Sequence, residues 1–232
     1  MKEIAKTRKH KKRAAAESSA SSRGWACLEQ GMACVGKEDW EGAFAACNKA
    51  IGLYPEGSGK AAAYFYRGIA RYRLGDRPRA IRDFTEAISG FYLSVDRAEA
   101  YAYRGLARMA EKDYAGAIAD LSEAIRDFPD DHSEDDTSKA EAYANRGLAR
   151  HRVGDLAGAL ADYAEAINRH VPPAPVHYNT ACTYSLLGDA DQACRELAAA
   201  VDQDPALRED ARSDPDFYPM RGESCFQALI WG

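Results

Sequence analysis

No run in these 232 residues approaches the roughly 18 consecutive apolar positions that a membrane-crossing helix needs. Nor does an apolar segment follow the charged first 13 residues, as a secretory leader would require, so a cytoplasmic chain is the expectation. Runs of β-branched residues are absent while Ala, Leu, Arg and Glu abound, a bias toward helix and against sheet. The six cysteines (Cys27, Cys34, Cys47, Cys182, Cys194 and Cys225) include no CxxC pair, which removes the usual zinc and dithiol spacings. They are expected to be reduced, as core-filling side chains at helix contacts. There is no HExxH, GxSxG, P-loop or dinucleotide fingerprint, and the five histidines are scattered. No nucleophile, acid–base pair or ligand cluster is assembled, so the expectation is a non-enzyme without cofactor or metal. The acidic run Asp127–Asp136 lacks the glycine and spacing of a calcium loop and is expected to be a solvated insertion.

The net charge of −5 conceals an asymmetry. Residues 1–23 carry eight Lys/Arg against two Glu, and the acidic excess lies in the remainder. This arm, with Lys6, Arg8, Lys9, Lys11, Lys12 and Arg13 at its centre, turns Ala/Ser-rich and offers little to bury. It is expected to be disordered, serving as a solubilising tail or as a contact for nucleic acid or an anionic surface.

The dominant positive feature is a 25-residue segment that occurs three times, at Tyr64–Ile88, Tyr101–Ile125 and Tyr143–Ile167. Eleven of its positions are identical in all copies, including Tyr-x-x-Arg-Gly-x-Ala-Arg, a central Asp, and Asp-x-x-Glu-Ala-Ile. Gly75, Gly154 and Gly188 suit the left-handed end of a first helix. Asp39, Asp76, Asp113, Asp155 and Asp189 follow at one offset and are expected to cap the second. Five such signals imply five helix–turn–helix units. Gly31, Gly68, Gly105, Gly147 and Ala181 align on the first helices, and Ala43, Ala80, Ala117, Ala159 and Ala193 on the second. Large residues such as Phe84, Leu121, Tyr163 and Leu197 sit between the small ones.

This alternation of small and large positions resembles the tetratricopeptide repeat (TPR) family over about Gly24–Pro205. The spacings of the aligned Gly/Ala residues are 37, 37, 42 and 34, so only the last matches the family's period of 34. The resemblance implies an all-α fold, a right-handed TPR solenoid of antiparallel helix pairs with a C-terminal helical cap. Units are expected at about 24–57, 61–94, 98–131, 140–173 and 174–207, with 206–232 as the cap covering the exposed end of the stack.

The resemblance also implies a concave groove lined by first helices, chiefly three residues before and one after the signature Gly. Here that surface comprises Leu28, Met32, Phe65, Ile69, Tyr72, Leu106, Met109, Leu148, His151, Tyr178 and Cys182. Asn145 and Asn179 resemble asparagines that hold a peptide backbone in some TPR superhelices. The arginine pairs Arg67/Arg71, Arg104/Arg108 and Arg146/Arg150 recur together with Asp83/Glu86, Asp120/Glu123 and Asp162/Glu165. They are expected to form an Arg–carboxylate lattice between neighbouring units rather than a ligand site. The expected function is a non-catalytic adaptor or scaffold that holds a peptide or helix of another protein in the groove. The alternatives for the groove are core packing between helices, or filling by the protein's own tail. A separate reading is nucleic-acid or surface association through the arm, with the repeats as a tethered platform.

Overall fold

The computed structural model describes residues 2–129, 137–169 and 174–232, with side chains from residue 19 onward. The described chain contains helices and no strand: α1 (Lys2–Gly36), α2 (Trp40–Leu53), α3 (Ser58–Arg73), α4 (Arg77–Gly90), α5 (Ser94–Ala110), α6 (Tyr114–Asp127), α7 (Thr137–Arg152), α8 (Leu156–Asn168), α9 (Ala174–Leu187), α10 (Ala190–Gln203), α11 (Leu207–Ser213), a 3-10 segment Pro215–Met220, and α12 (Ser224–Trp231). They form two compact units, 1–112 and 113–232, and the boundary falls between α5 and α6.

The tight turns explain why consecutive helices pair. Gly75, Gly154 and Gly188 all take positive φ, at 86°, 83° and 80°. The next residue then closes two helix ends at once. The Asp76 N–H donates to Arg71 O at 2.8 Å, finishing α3, while its carboxylate accepts from the Arg79 N–H and starts α4. Asp39, Asp155 and Asp189 repeat both bonds, and Asp113 caps α6 through the Gly116 N–H at 3.0 Å. Glu38 and Lys112 occupy the glycine's place in the first and third turns, at φ 57° and 62°.

The small–large alternation sets how closely the paired helices approach. A Cβ on Gly68 would lie 2.7 Å from the Phe84 ring, one on Gly147 2.6 Å from Tyr163, and one on Gly31 2.4 Å from Cys47 Sγ. Each of these side chains thus packs against a helix backbone that has no side chain there. In the fifth pair Ala181 and Leu197 share a core cluster, a larger small residue facing a smaller large one.

Three features differ from the sequence expectations. The helix begins at Lys2, where disorder was expected to residue 23; Ala, Lys and Arg are strong helix formers, and extension from an established helix adds a bond per residue fixed. Cys194 and Cys225 are joined in a disulfide that ties α10 to α12, whereas reduced thiols were expected. The spacing rules that signal metal and redox pairs do not register partners 31 residues apart. Third, the Arg–Asp contacts are made within a helix pair rather than between neighbouring units. Arg67 grips Asp83 through Nε (2.9 Å) and a terminal nitrogen (2.7 Å), with Arg71 adding a contact at 2.7 Å. Arg146 and Arg150 hold Asp162 in the same way. Arg67, Arg104 and Arg146 also reach the preceding helix pair through neutral acceptors: Arg67 donates to Asn48 at 2.7 Å, Arg104 to Thr85 at 2.9 Å and Arg146 to Ser122 at 3.0 Å. The repeated tyrosines Tyr64, Tyr101 and Tyr143 lie under these guanidinium groups at 5.2–5.4 Å. Glu123 pairs with Arg126 on its own helix, outside this arrangement.

In unit 2, Lys139 is buried and donates to Phe128 O at 3.1 Å, tying the start of α7 to the end of α6. Residues 130–136 of the acidic insertion lie outside the described residues. The terminal segments bury Ala211, Phe217, Met220, Phe226 and Ile230 in one cluster with Ala181, Ala193, Leu197 and Val201 of α9 and α10.

Candidate interaction site

In unit 1, α1, α3 and α5 present the first-helix positions expected to line a groove, and burial separates them into two sets. Leu28, Phe65 and Ile69 are buried. Phe65 lies in an aromatic cluster, with ring centroids 5.3 Å from Tyr66, 6.0 Å from Phe84, 6.2 Å from Phe91 and 5.5 Å from Tyr103. These three side chains hold helices together and leave nothing for a partner to touch. Met32 is 40% exposed, while Tyr72, Leu106 and Met109 are half-buried. Those four are the accessible part of the expected surface in this unit.

Unit 2 has a different arrangement, because the 3-10 segment packs against α9. Asp214 and Pro215 begin it, the Asp214 carboxylate accepting from the Asp216 N–H at 2.9 Å. The Tyr178 hydroxyl donates to Asp214 Oδ2 at 3.0 Å, and the Tyr178 ring stands edge-on to Phe217 at 5.5 Å. Cys182 Sγ is 3.8 Å from the same carboxylate oxygen. His151, 8% exposed, contacts Thr183 Oγ1 through Nδ1 at 2.9 Å and Asp216 Oδ2 through Nε2 at 3.0 Å. Three of the expected groove residues, His151, Tyr178 and Cys182, therefore carry the protein's own tail. Burial, then the Cys182 and Asp214 charges, push the Tyr178 phenol well above its usual range. Burial followed by Asp214 and Asp216 does the same to the Cys182 thiol. Both groups stay protonated and donate. Asn145, Leu148 and Asn179 are half-buried.

Sequence reasoning missed Thr183, Asp214 and Asp216. An Asp-Pro start was legible at Asp214–Pro215, but nothing in the local pattern says which helices that turn will meet. The charged side chains of the basic arm, Lys6, Arg8, Lys9, Lys11, Lys12 and Arg13, lie outside the described residues. On another side of unit 1, a polar pocket of about 180 Å³ is lined by Glu56, Lys60, Tyr64, Glu86 and Tyr92, with Lys60 and Glu56 paired at 2.6 Å.

A tetratricopeptide-repeat family model matches residues 61–132, and a second matches 174–207. The chain is a tetratricopeptide-repeat protein. The helix pairs of α1–α2 and α7–α8 carry the same capping and small–large packing outside those matches. Among solved structures, a MamA protein is similar over 81% of this chain and 94% of its own, at 20% identity and a TM-score of 0.64. MamA from Desulfovibrio magneticus RS-1 is 17% identical, with 79% and 96% covered and a TM-score of 0.67. YrrB, described as a TPR protein with an unusual peptide-binding site, is 23% identical over 79% of this chain and 90% of its own, at a TM-score of 0.61. No curated protein matches the chain. At these identities the likeness establishes the all-α TPR fold. No described helix is long and apolar enough to cross a membrane.

Proposed function

We propose that this TPR protein is a non-catalytic interaction module that holds an apolar segment of another protein on the first-helix face of unit 1. The observation that carries the reading is the contrast between the two units. In unit 2, His151, Tyr178 and Cys182 contact the chain's own 214–217 turn, which sets Phe217 beside Tyr178. In unit 1, Met32 is exposed and Tyr72, Leu106 and Met109 are half-buried. Met, Leu and Tyr side chains favour an amphipathic helix or extended apolar peptide, Met adapting to irregular shapes. The peptide site described for YrrB, on a similar fold, is consistent with this use. The varying letters of the repeat select the partner, while the invariant ones brace the helices.

The test is selection of peptides from a random display library on the immobilised full-length chain. Binding of a selected peptide should weaken at least tenfold in Met32→Asp and Met109→Asp variants whose helicity matches wild type. Unchanged binding in both would remove the face from consideration. Loss of binding only on deletion of residues 1–23, together with a steep salt dependence, would instead support the basic arm.

A further inference from the structure

The 37-residue spacing sets the first helices of unit 1 in register, and the charges on them are segregated by sign. Trp25, Ala62 and Glu99 share one register position on α1, α3 and α5, a turn before Leu28, Phe65 and Ala102. On α5, steps of three, four and three residues lead from Glu99 through Ala102 and Leu106 to Met109, so one side of the helix carries all four. The basic residues of α3 are turned elsewhere: Arg67 and Arg71 to Asp83 on α4, Arg73 to the Trp40 ring, and Lys60 to Glu56. Asp96 stands in the first turn of α5, where the helix dipole favours a negative charge, but Glu99 lies beyond that turn. The Tyr66 phenol on α3 is pushed up by burial and then by the Glu99 charge, which sets this carboxylate near the aromatic cluster around Phe65. Partial desolvation, then the Asp96 charge, hold the Glu99 carboxyl above its usual range, and among the described residues no cation counters them. The side chain is nonetheless exposed, within reach of a partner.

We propose that Glu99 is a specificity-determining residue of the unit 1 face, pairing with a lysine or arginine that the bound segment carries beside its apolar anchors. The inference rests on the reading of that face as the docking surface, and it makes the occupant a cationic amphipathic segment. Leu106 and Met109 meet the apolar anchors, while Glu99, on the same side of α5, reads the charge. A neutral or acidic segment would desolvate the carboxylate further and leave it without a counter-charge, so it is rejected. A basic side chain instead meets Glu99 in a charge-assisted hydrogen bond and fixes the register of the segment on the face. Trp25, 53% exposed at the same register on α1, supplies an indole for a further anchor.

The test is selection from a random peptide display library in parallel on full-length wild type, Glu99→Lys and Glu165→Lys, the last making the same charge change at an exposed position on α8. Expected are a wild-type pool enriched in Lys or Arg beside apolar residues, the same enrichment on Glu165→Lys, and its loss on Glu99→Lys. A peptide from the wild-type pool should bind Glu99→Lys at least tenfold more weakly. The same peptide with its basic residue replaced by Glu should bind Glu99→Lys more tightly than it binds wild type. Peptides that weaken in Met32→Asp and Met109→Asp but not in Glu99→Lys overturn this inference and leave the docking face standing. Peptides indifferent to both methionine substitutions, or an empty selection, remove the face and the inference together. An equal loss on Glu165→Lys would reduce the effect to net charge and also overturn the inference. If Glu99→Lys loses helicity by circular dichroism, Glu99→Gln decides, and unchanged affinity there overturns it.

Discussion

At the scale of the residue, the repeated letters are paired constraints. Asp83 is 2% exposed and faces two guanidinium groups, so its removal leaves both partly buried cations without a counter-charge. Asp83→Ala should cost about 3 kcal/mol by urea denaturation, and Arg71→Met less, because Arg67 keeps its two-pronged hold. Gly68 and Phe84 form a second such pair. Gly68→Ala should destabilise by about 1–3 kcal/mol, since the new methyl meets the ring. The double variant Gly68→Ala/Phe84→Leu copies the Ala181/Leu197 combination of the fifth pair and should lose less than the sum of its single changes. Strict additivity would mean that the two side chains do not share a space. Cys47 is buried against Gly31, and burial raises its thiol to about 12. It should resist alkylation at pH 8 in the folded protein and react on unfolding.

At the scale of the element, most of the helix pattern was readable, because capping is a local event. The Asp that ends one helix and begins the next acts within five residues on either side, and so leaves its mark at a fixed offset. The same locality explains what was missed. The grip of Arg67 on Asp83 spans 16 residues, and the arginine's position on its helix does not reveal whether the carboxylate belongs to its own pair or to a neighbour. Phe65 stands at a position that lines the groove in the family, yet the bulk of Tyr66, Phe84, Phe91 and Tyr103 around it turns that position into core. The left-handed turn offers a direct check on the local account. Lys112→Gly, at φ 62°, should stabilise by roughly 0.5–1 kcal/mol, whereas Gly75→Ala, at φ 86°, should destabilise by about 1 kcal/mol. The disulfide between α10 and α12 makes another prediction. Reduction should cost about 2–4 kcal/mol and raise hydrogen exchange first in α12.

At the scale of the whole molecule, a TPR chain is a division of labour between letters that repeat and letters that vary. Tyr64, Arg67, Gly68, Arg71, Asp76, Ala80 and Asp83 are spent on stacking, capping and bracing. The varying positions include both core residues, such as Phe65, and accessible ones, such as Met109. The sequence alone could identify the varying set, but burial was needed to separate the two kinds. The tail's use of the unit 2 positions was one of the alternatives the pattern allowed, and the Tyr178–Asp214 and His151–Asp216 contacts show it in place. The central claim is that recognition belongs to the accessible face of unit 1. The most direct measurement is calorimetric titration of a display-selected peptide into three full-length proteins, wild type, Met32→Asp and Met109→Asp, and into a chain lacking residues 1–23, at low and high salt. The account predicts that both substitutions weaken binding at least tenfold while salt and truncation change it little. Binding that ignores both substitutions, and disappears with the arm or with salt, would contradict it.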